Sequence, residues 1–254
     1  MLSLKDIKEL QSSGKARRTM GLFVAEGIKI HREAPADLIE QVCASESFAK
    51  EHADVLAAFD NKTLQIVPDN KMKSLSDTKT PQGILTIMKK PVWEMESLLG
   101  KPSPFFLILE NLQDPGNAGT ILRTAEAAGC DGVFVTEGTV DYYTPKTIRS
   151  TMGSIYRVPH LVVPDVHSLV ADMEGRGIAV YAAHLKGQKT YRQVDFTKGC
   201  AIVIGNESKG ISDGLAEACT ELVTIPMQGK IESLNAAMAA GIMMYEAAGQ
   251  RAGE

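Results

Sequence analysis

A parallel α/β sheet buried on both faces, preceded by a smaller α/β unit, is the fold class the sequence predicts, and three observations predict it. Five short apolar runs, at residues 105–110, 132–137, 178–185, 200–206 and 221–227, alternate with helical patterns. Continuous apolar strands separated by helices are the pattern of a sheet covered on both sides. The second observation is a break: between residues 89 and 104, paired lysines, three prolines and a glycine interrupt the apolar periodicity on either side. The third is composition. The chain has 254 residues, of which 44% are hydrophobic and 23% charged. That is the balance of a folded globular protein and excludes disordered, collagen-like and coiled-coil classes.

The elements follow in order. Residues 4–11 carry apolar positions at helical spacing, 22–25 read as a short strand, a helix starts at Gly27, and residues 83–88 close the first unit as a strand. The expected division is residues 1–97 for this unit, 98–104 for a linker and 105–254 for the second domain. The formal net charge is −4, so bulk charge does not make the protein a polyanion binder, and any nucleic-acid contact must be local. Residues 1–100 carry 14 basic and 14 acidic side chains, so the whole deficit lies in the second part. Within the neutral part, positives gather at Lys15, Arg17 and Arg18 and again across residues 62–90. A solvated lysine-rich surface explains the same pattern.

The four cysteines are scattered without a C-x-x-C pair, and no His, Cys and carboxylate cluster has ligand spacing, so no metal is expected. The first residues lack the apolar core of a secretory signal. The longest apolar stretch, 234–245, is shorter than the roughly 17–25 residues that span a bilayer. The expectation is a cytoplasmic protein with no membrane partner.

In open α/β sheets ligands sit beyond the carboxyl ends of the strands, and three loops there are unusual. The first, NLQDPGNAGTILRTAEAAG (111–129), places Asn117 at a plausible helix start and Arg123 six residues on. The second, GNESKGIS (205–212), carries Glu207 between glycines. In the third, PMQGKIESLNAAMAAGIMMYEAAG (226–249), Ser233 is a candidate helix cap, with Asn235 in the first turn of a helix over 233–248. Singly, each has a structural explanation: Asn117 as a helix cap, Glu207 favouring a helix N-terminus, the small residues of 236–241 letting a core helix pack closely.

Together, in this order and spacing, the three stretches resemble the SpoU (TrmH-type) RNA ribose 2'-O-methyltransferases of the SPOUT superfamily. Residues 15–34 are similar to the substrate-binding domain that opens many members, and YTPKTIRSTMGS (143–154) is similar to a further family helix, although Thr144 capping with Pro145 at the first position explains it locally. The resemblance implies an N-terminal RNA substrate-binding domain and a catalytic domain tied in a C-terminal trefoil knot. It also implies S-adenosyl-L-methionine as cofactor and a homodimer. Carried over by motif, Arg123, Asn117, Glu207, Ser233 and Asn235 would be catalytic. Ile204, Gly205, Asn206, Ile225, Met227, Ser233 and Leu234 would bind the cofactor, and glycines at 205 and 229 would let backbone approach it. Lys146 and Arg149, with Lys15, Arg17 and Arg18, are the candidates for RNA phosphate contacts.

The implied reaction is methyl transfer to a ribose 2'-hydroxyl, with ribosomal RNA favoured over transfer RNA; a catalytically silent RNA-binding ribosome-assembly factor is the alternative from another class. A guanidinium keeps its proton, so Arg123 fits charge stabilisation or phosphate anchoring better than proton abstraction, which leaves Glu207 as the alternative acceptor.

Overall fold

The computed structural model describes residues 1–253. They form two compact units, one of Met1–Val92 with Asp141–Tyr156, the other of Trp93–Val140 with the chain from Arg157 onward.

The first unit is built on four strands, β1 (Leu22–Glu26), β2 (Ile39–Ser45), β3 (Leu64–Val67) and β4 (Ile84–Lys89), in the order β1-β4-β2-β3. β4 runs antiparallel to both neighbours, and β2 and β3 are parallel. The first helix, Leu4–Ser12, starts at a capping box in which Ser3 and Asp6 satisfy each other's backbone. Its apolar stripe puts Ile7 and Leu10 against Cys43, Met72 and Leu85. Phe48, Leu56 and Ile84 form a second cluster. Every residue of β4 except Lys89 is buried, as expected of a strand covered on both faces.

Residues 141–156 belong to this unit, which departs from the expected division. The Arg17 Nε donates to Asp141 at 2.8 Å while its Nη1 donates to the carbonyls of Leu10 and Gln11, and Arg149 pairs with Asp77 at 2.9 Å. Phe23 stacks on Tyr143 with ring centroids 4.8 Å apart, and the Tyr156 hydroxyl donates to the Ile30 carbonyl. The segment's aromatic and charged partners therefore lie in the first unit, and partners 72 to 126 residues distant in sequence leave no trace in local periodicity. The expected linker is corrected too: the helix Met95–Leu99 already buries Leu98 and Leu99 in the core of the second unit.

The second unit is a seven-stranded sheet: β5 (Phe105–Leu109), β6 (Gly132–Thr136), β7 (His160–Val163), β8 (Ala179–Ala183), β9 (Lys189–Thr190), β10 (Cys200–Ile204) and β11 (Glu221–Thr224). The order is β7-β6-β5-β10-β8-β11-β9 and every pairing is parallel. The five expected runs are β5, β6, β8, β10 and β11, with β5 and β10 buried throughout at the centre. The edge strands β7 and β9 were not foreseen. β7 buries two of its four residues and β9 has only two, too little apolar pattern to register.

Phe106, Phe134, Leu169, Val180, Val203 and Leu215 fill one cluster. The helices Pro115–Ala127 and Ala236–Ala252 pack on one another, the latter also on β10. Because the strands are parallel, the loops following β5, β8, β10 and β11 all leave the same edge of four adjacent strands. After β11 the chain returns past β8 to lay its last helix against β10. No helix among the described residues is long and apolar enough to cross a membrane.

Candidate active site

The loop after β5 ends in a helix whose cap is Asp114, not Asn117. The Asp114 carboxylate accepts from the Asn117 backbone N–H at 2.8 Å, with Pro115 occupying the first turn. That removes the capping role from the Asn117 side chain and leaves its amide free for distant partners.

The loop after β10 is a tight return in which Asn206 and Gly210 exchange backbone hydrogen bonds at 3.0 and 2.9 Å. A Cβ on Gly205 would collide with the backbone of Gly210 and Ile211, so glycine is required here by the chain's own crossing. Gly205 also lines the cleft described below, whereas a Cβ on Gly229 would face open space. The Asn206 side chain stiffens the turn, its carbonyl accepting from the Ser208 and Lys209 N–H groups and its amide donating to the Asn111 carbonyl at 2.7 Å.

From the tip of that turn Glu207 reaches the first loop. One carboxylate oxygen accepts from the Gln113 N–H at 3.0 Å, the other from the Asp114 N–H at 2.9 Å and the Asn117 Nδ2 at 3.1 Å. The Asn117 Oδ1 in turn accepts from the Asn235 Nδ2 at 3.0 Å. Asn235 is itself the cap of the last helix, its Oδ1 accepting from the N–H groups of Ala237 and Met238. One chain of hydrogen bonds, Asn235 to Asn117 to Glu207, thus ties the three unusual loops together. Burial pushes the Glu207 carboxyl up, but the donors from Asp114, Gln113, its own backbone and Asn117 outweigh it and hold the group below the usual carboxylate range. With both oxygens engaged by donors of the first loop, the carboxylate is a strut between the motifs.

Beside this strut lies a cleft of about 380 Å³. All seven residues expected at a cofactor site line it: Ile204, Gly205, Asn206, Ile225, Met227, Ser233 and Leu234. Ser233 lies ahead of the last helix and is not its cap, because the helix starts at Ala236 and Asn235 caps it through the Ala237 and Met238 N–H groups. This corrects the expected start at 233. Arg123 sits on the exposed side of the helix Pro115–Ala127, has no hydrogen bond or ion pair among the described residues, and does not line the cleft.

Several contributors were missed in the sequence. The buried Glu110 clamps Ser212 through its N–H at 2.7 Å and its hydroxyl at 2.6 Å, fixing the cap of the helix Asp213–Ala218. His184 and Lys186, after β8, line the cleft. Gly187 was the available signal, since a Cβ there would come within 2.7 Å of the Val223 and Thr224 backbone.

The expected RNA contacts all fall in the first unit. Lys15, Arg18 and Lys146 are exposed. Arg17 is not available: its side chain is 4% exposed and committed to Asp141, a correction that follows from the cost of leaving a carboxylate unpaired in a half-buried site. Arg149 is half-exposed and paired with Asp77, with its Nη1 buried and unpartnered.

Residues 104–245 match the profile of the SpoU rRNA Methylase family. The chain belongs to this family. Residues 2–86 match the MRM3-like substrate binding domain. Among SpoU relatives, the Bacillus subtilis (strain 168) 23S rRNA (guanosine(2553)-2'-O)-methyltransferase RlmP is 30% identical over 97% of this chain and 96% of its own length. A Streptomyces viridochromogenes 23S rRNA (uridine(2479)-2'-O)-methyltransferase is 30% identical over 78% of this chain and 71% of its own. The crystal structure of an AdoMet-bound rRNA methyltransferase from Sinorhizobium meliloti superposes with a TM-score of 0.84 at 30% identity, covering 96% of this chain and 93% of that one. The SpoU methyltransferase AviRb from Streptomyces viridochromogenes, in complex with AdoMet, gives 0.87 at 25% identity, covering 98% and 97%. The α/β architecture with its parallel sheet is therefore the SpoU methyltransferase fold.

Proposed function

We propose that this SpoU protein is an enzyme that transfers the methyl group of S-adenosyl-L-methionine to a ribose 2'-hydroxyl of ribosomal RNA. The observation that carries the reading is the Asn235, Asn117 and Glu207 chain, which joins all three family motifs at the rim of one cleft. The cleft suits the cofactor. Ile204, Ile225, Met227 and Leu234 offer apolar walls, and among the described residues the backbone of 226–234 makes no hydrogen bond within the chain, so its N–H and carbonyl groups are available to a ligand. When bound, the cofactor supplies an activated methyl on a sulfonium. The chain's own task is orientation, aligning a 2'-oxygen behind that methyl. Glu207 fixes the loops, and Ser233 presents a hydroxyl at the cleft. Arg123 steadies the ribose or its phosphate and offsets negative charge on the reacting oxygen.

A homodimer completes this reading. Arg123 is exposed and away from its own chain's cleft, and the last helix carries exposed Met238 and Tyr245 seven residues apart on one apolar stripe. An interface on the helices Pro115–Ala127 and Ala236–Ala252 would bring Arg123 of one protomer to the partner's site. The same reading includes the C-terminal knot, supported by the return of the chain after β11 to β10, with the first unit supplying RNA affinity in the cytoplasm. The test is mapping of ribose 2'-O-methylation in ribosomal RNA from cells with and without the gene, together with calorimetric binding of S-adenosylhomocysteine. One ribosomal position should lose its methyl group and the ligand should bind. An unchanged map with no binding would make the protein a silent RNA-binding factor, and a change confined to transfer RNA would reassign the substrate.

A further inference from the structure

A second cleft, of about 470 Å³, lies wholly within the first unit, among the helix Ile28–Arg32, the turn 76–82 and the helix Pro145–Thr151. That volume is in the usual range for a small-ligand site, about 300–1,000 Å³. Its walls are fixed by contacts that consume the acceptors. The Glu26 carboxylate accepts from the Ser76 hydroxyl, the Asp77 N–H and the Thr78 hydroxyl. Asp77 accepts from Arg149, the Gln82 side-chain carbonyl accepts from the Ile28 N–H, and Glu33, the second carboxylate in the lining, is likewise engaged. What remains uncommitted is a set of donors: Lys29 and Arg32, both exposed and unpaired among the described residues, and the Gln82 amide nitrogen.

The apolar part of the lining is as unusual. Met152, the residue that ends the helix Pro145–Thr151, adopts φ 51°, a left-handed conformation that glycine or asparagine takes at much lower cost. The residue is nonetheless 46% exposed and lines the cleft. A strained backbone carrying an exposed apolar side chain beside unsatisfied cationic donors suits a ligand that is both anionic and flat.

We propose that this cleft holds one unstacked nucleotide of the RNA substrate, its phosphate on Lys29 and Arg32 and its base against Met152. Single-stranded RNA is recognised in this way, through splayed bases and backbone contacts. The inference rests on the RNA-methyltransferase reading above and deepens it, assigning substrate selection to a place in the first unit separate from the cofactor cleft.

The experiment compares the full-length parent with Lys29→Glu/Arg32→Glu, with Met152→Asn, and with a control, Lys5→Glu/Lys50→Glu, that makes the same charge change at exposed sites elsewhere on the unit. Methyl transfer to deproteinised, unmethylated ribosomal RNA is measured across salt concentrations. Lys29→Glu/Arg32→Glu should raise KM for RNA by about tenfold or more and flatten its salt dependence. Its kcat at saturating RNA and its S-adenosylhomocysteine affinity should match the parent. Met152→Asn should raise KM with the salt dependence intact. The control should match the parent. Equal KM for the cleft variants and the control would overturn the proposal. So would free ribonucleoside monophosphates competing as strongly as RNA, which would make this a small-molecule site. Should the parent transfer no methyl at all, the proposed function fails, and the same variants are compared for RNA retention on filters. Weaker retention by the cleft variants alone would still uphold the nucleotide site, and equal retention would refute it.

Discussion

The two units solve one problem, fastening segments distant in sequence, with opposite chemistry. In the first unit, residues 141–156 are fixed by charge: Arg17 to Asp141 in a largely buried pair and Arg149 to Asp77 in a half-exposed one. In the second, the loops around the 380 Å³ cleft are fixed by neutral donors on a single carboxylate, with no cation paired to Glu207 among the described residues. Ion pairs give strength where both charges are desolvated together and little where water reaches them. Neutral N–H groups satisfy a carboxylate without cancelling its charge. The cleft, which Glu207 lines, therefore keeps a negative group, and a guanidinium in the same fastening role would put a positive charge there instead.

Four substitutions separate the two kinds of fastening. Arg17→Ala should have the largest effect, about 3–5 kcal/mol of destabilisation, because it strands Asp141 and the carbonyls of Leu10 and Gln11. Hydrogen exchange under increasing urea should show residues 141–156 opening first, while fluorescence of the single tryptophan, Trp93, reports the second unit unchanged. Simultaneous loosening of both units would break the comparison. Asn117→Ala comes next. It cuts the chain between Asn235 and Glu207 without opening a core cavity, and a misplaced loop should slow single-turnover methyl transfer by about 10²-fold at an unchanged melting temperature. A parental rate would remove the relay from the mechanism.

Glu207→Gln should cost about tenfold in transfer, since the new amide presents hydrogens to N–H groups that need an acceptor. Its pH behaviour is the sharper reading. The carboxyl is held below the usual range, so its contribution is complete above the ordinary glutamate value, roughly 4.3, and fades only as pH falls through the lower folded-state value. S-adenosylhomocysteine affinity should accordingly be flat from neutrality down to about pH 5 and weaken only in stronger acid. An inflection in the transfer rate near neutrality that disappears in Glu207→Gln would instead identify Glu207 as the proton acceptor. Smallest of the four is Asp77→Ala, worth less than about 1 kcal/mol and shrinking further with added salt, because water reaches both partners. A larger, salt-insensitive loss would show that this pair behaves like the buried one.

Much of this was legible in the order of residues, and the reason is local physics. The strands β5 and β10 announce themselves because a strand buried on both faces has no polar positions to interrupt it. Thr144 before Pro145 marks a helix start because both residues act on backbone within one turn. The cleft residues were found through the spacing of three family motifs, even where the local role was misread: Asn117 and Ser233 both looked like caps, while Asp114 and Asn235 perform that task. What only the tertiary structure decided is which polar group meets which. Glu207 finds its donors 90 to 94 residues earlier in the chain, Arg17 finds Asp141 at a separation of 124, and residues 141–156 join the unit that precedes them, not the one that surrounds them in sequence. Periodicity and capping act over a few residues, whereas the cost of leaving a buried charge or donor unpaired is settled only when distant segments share one interior.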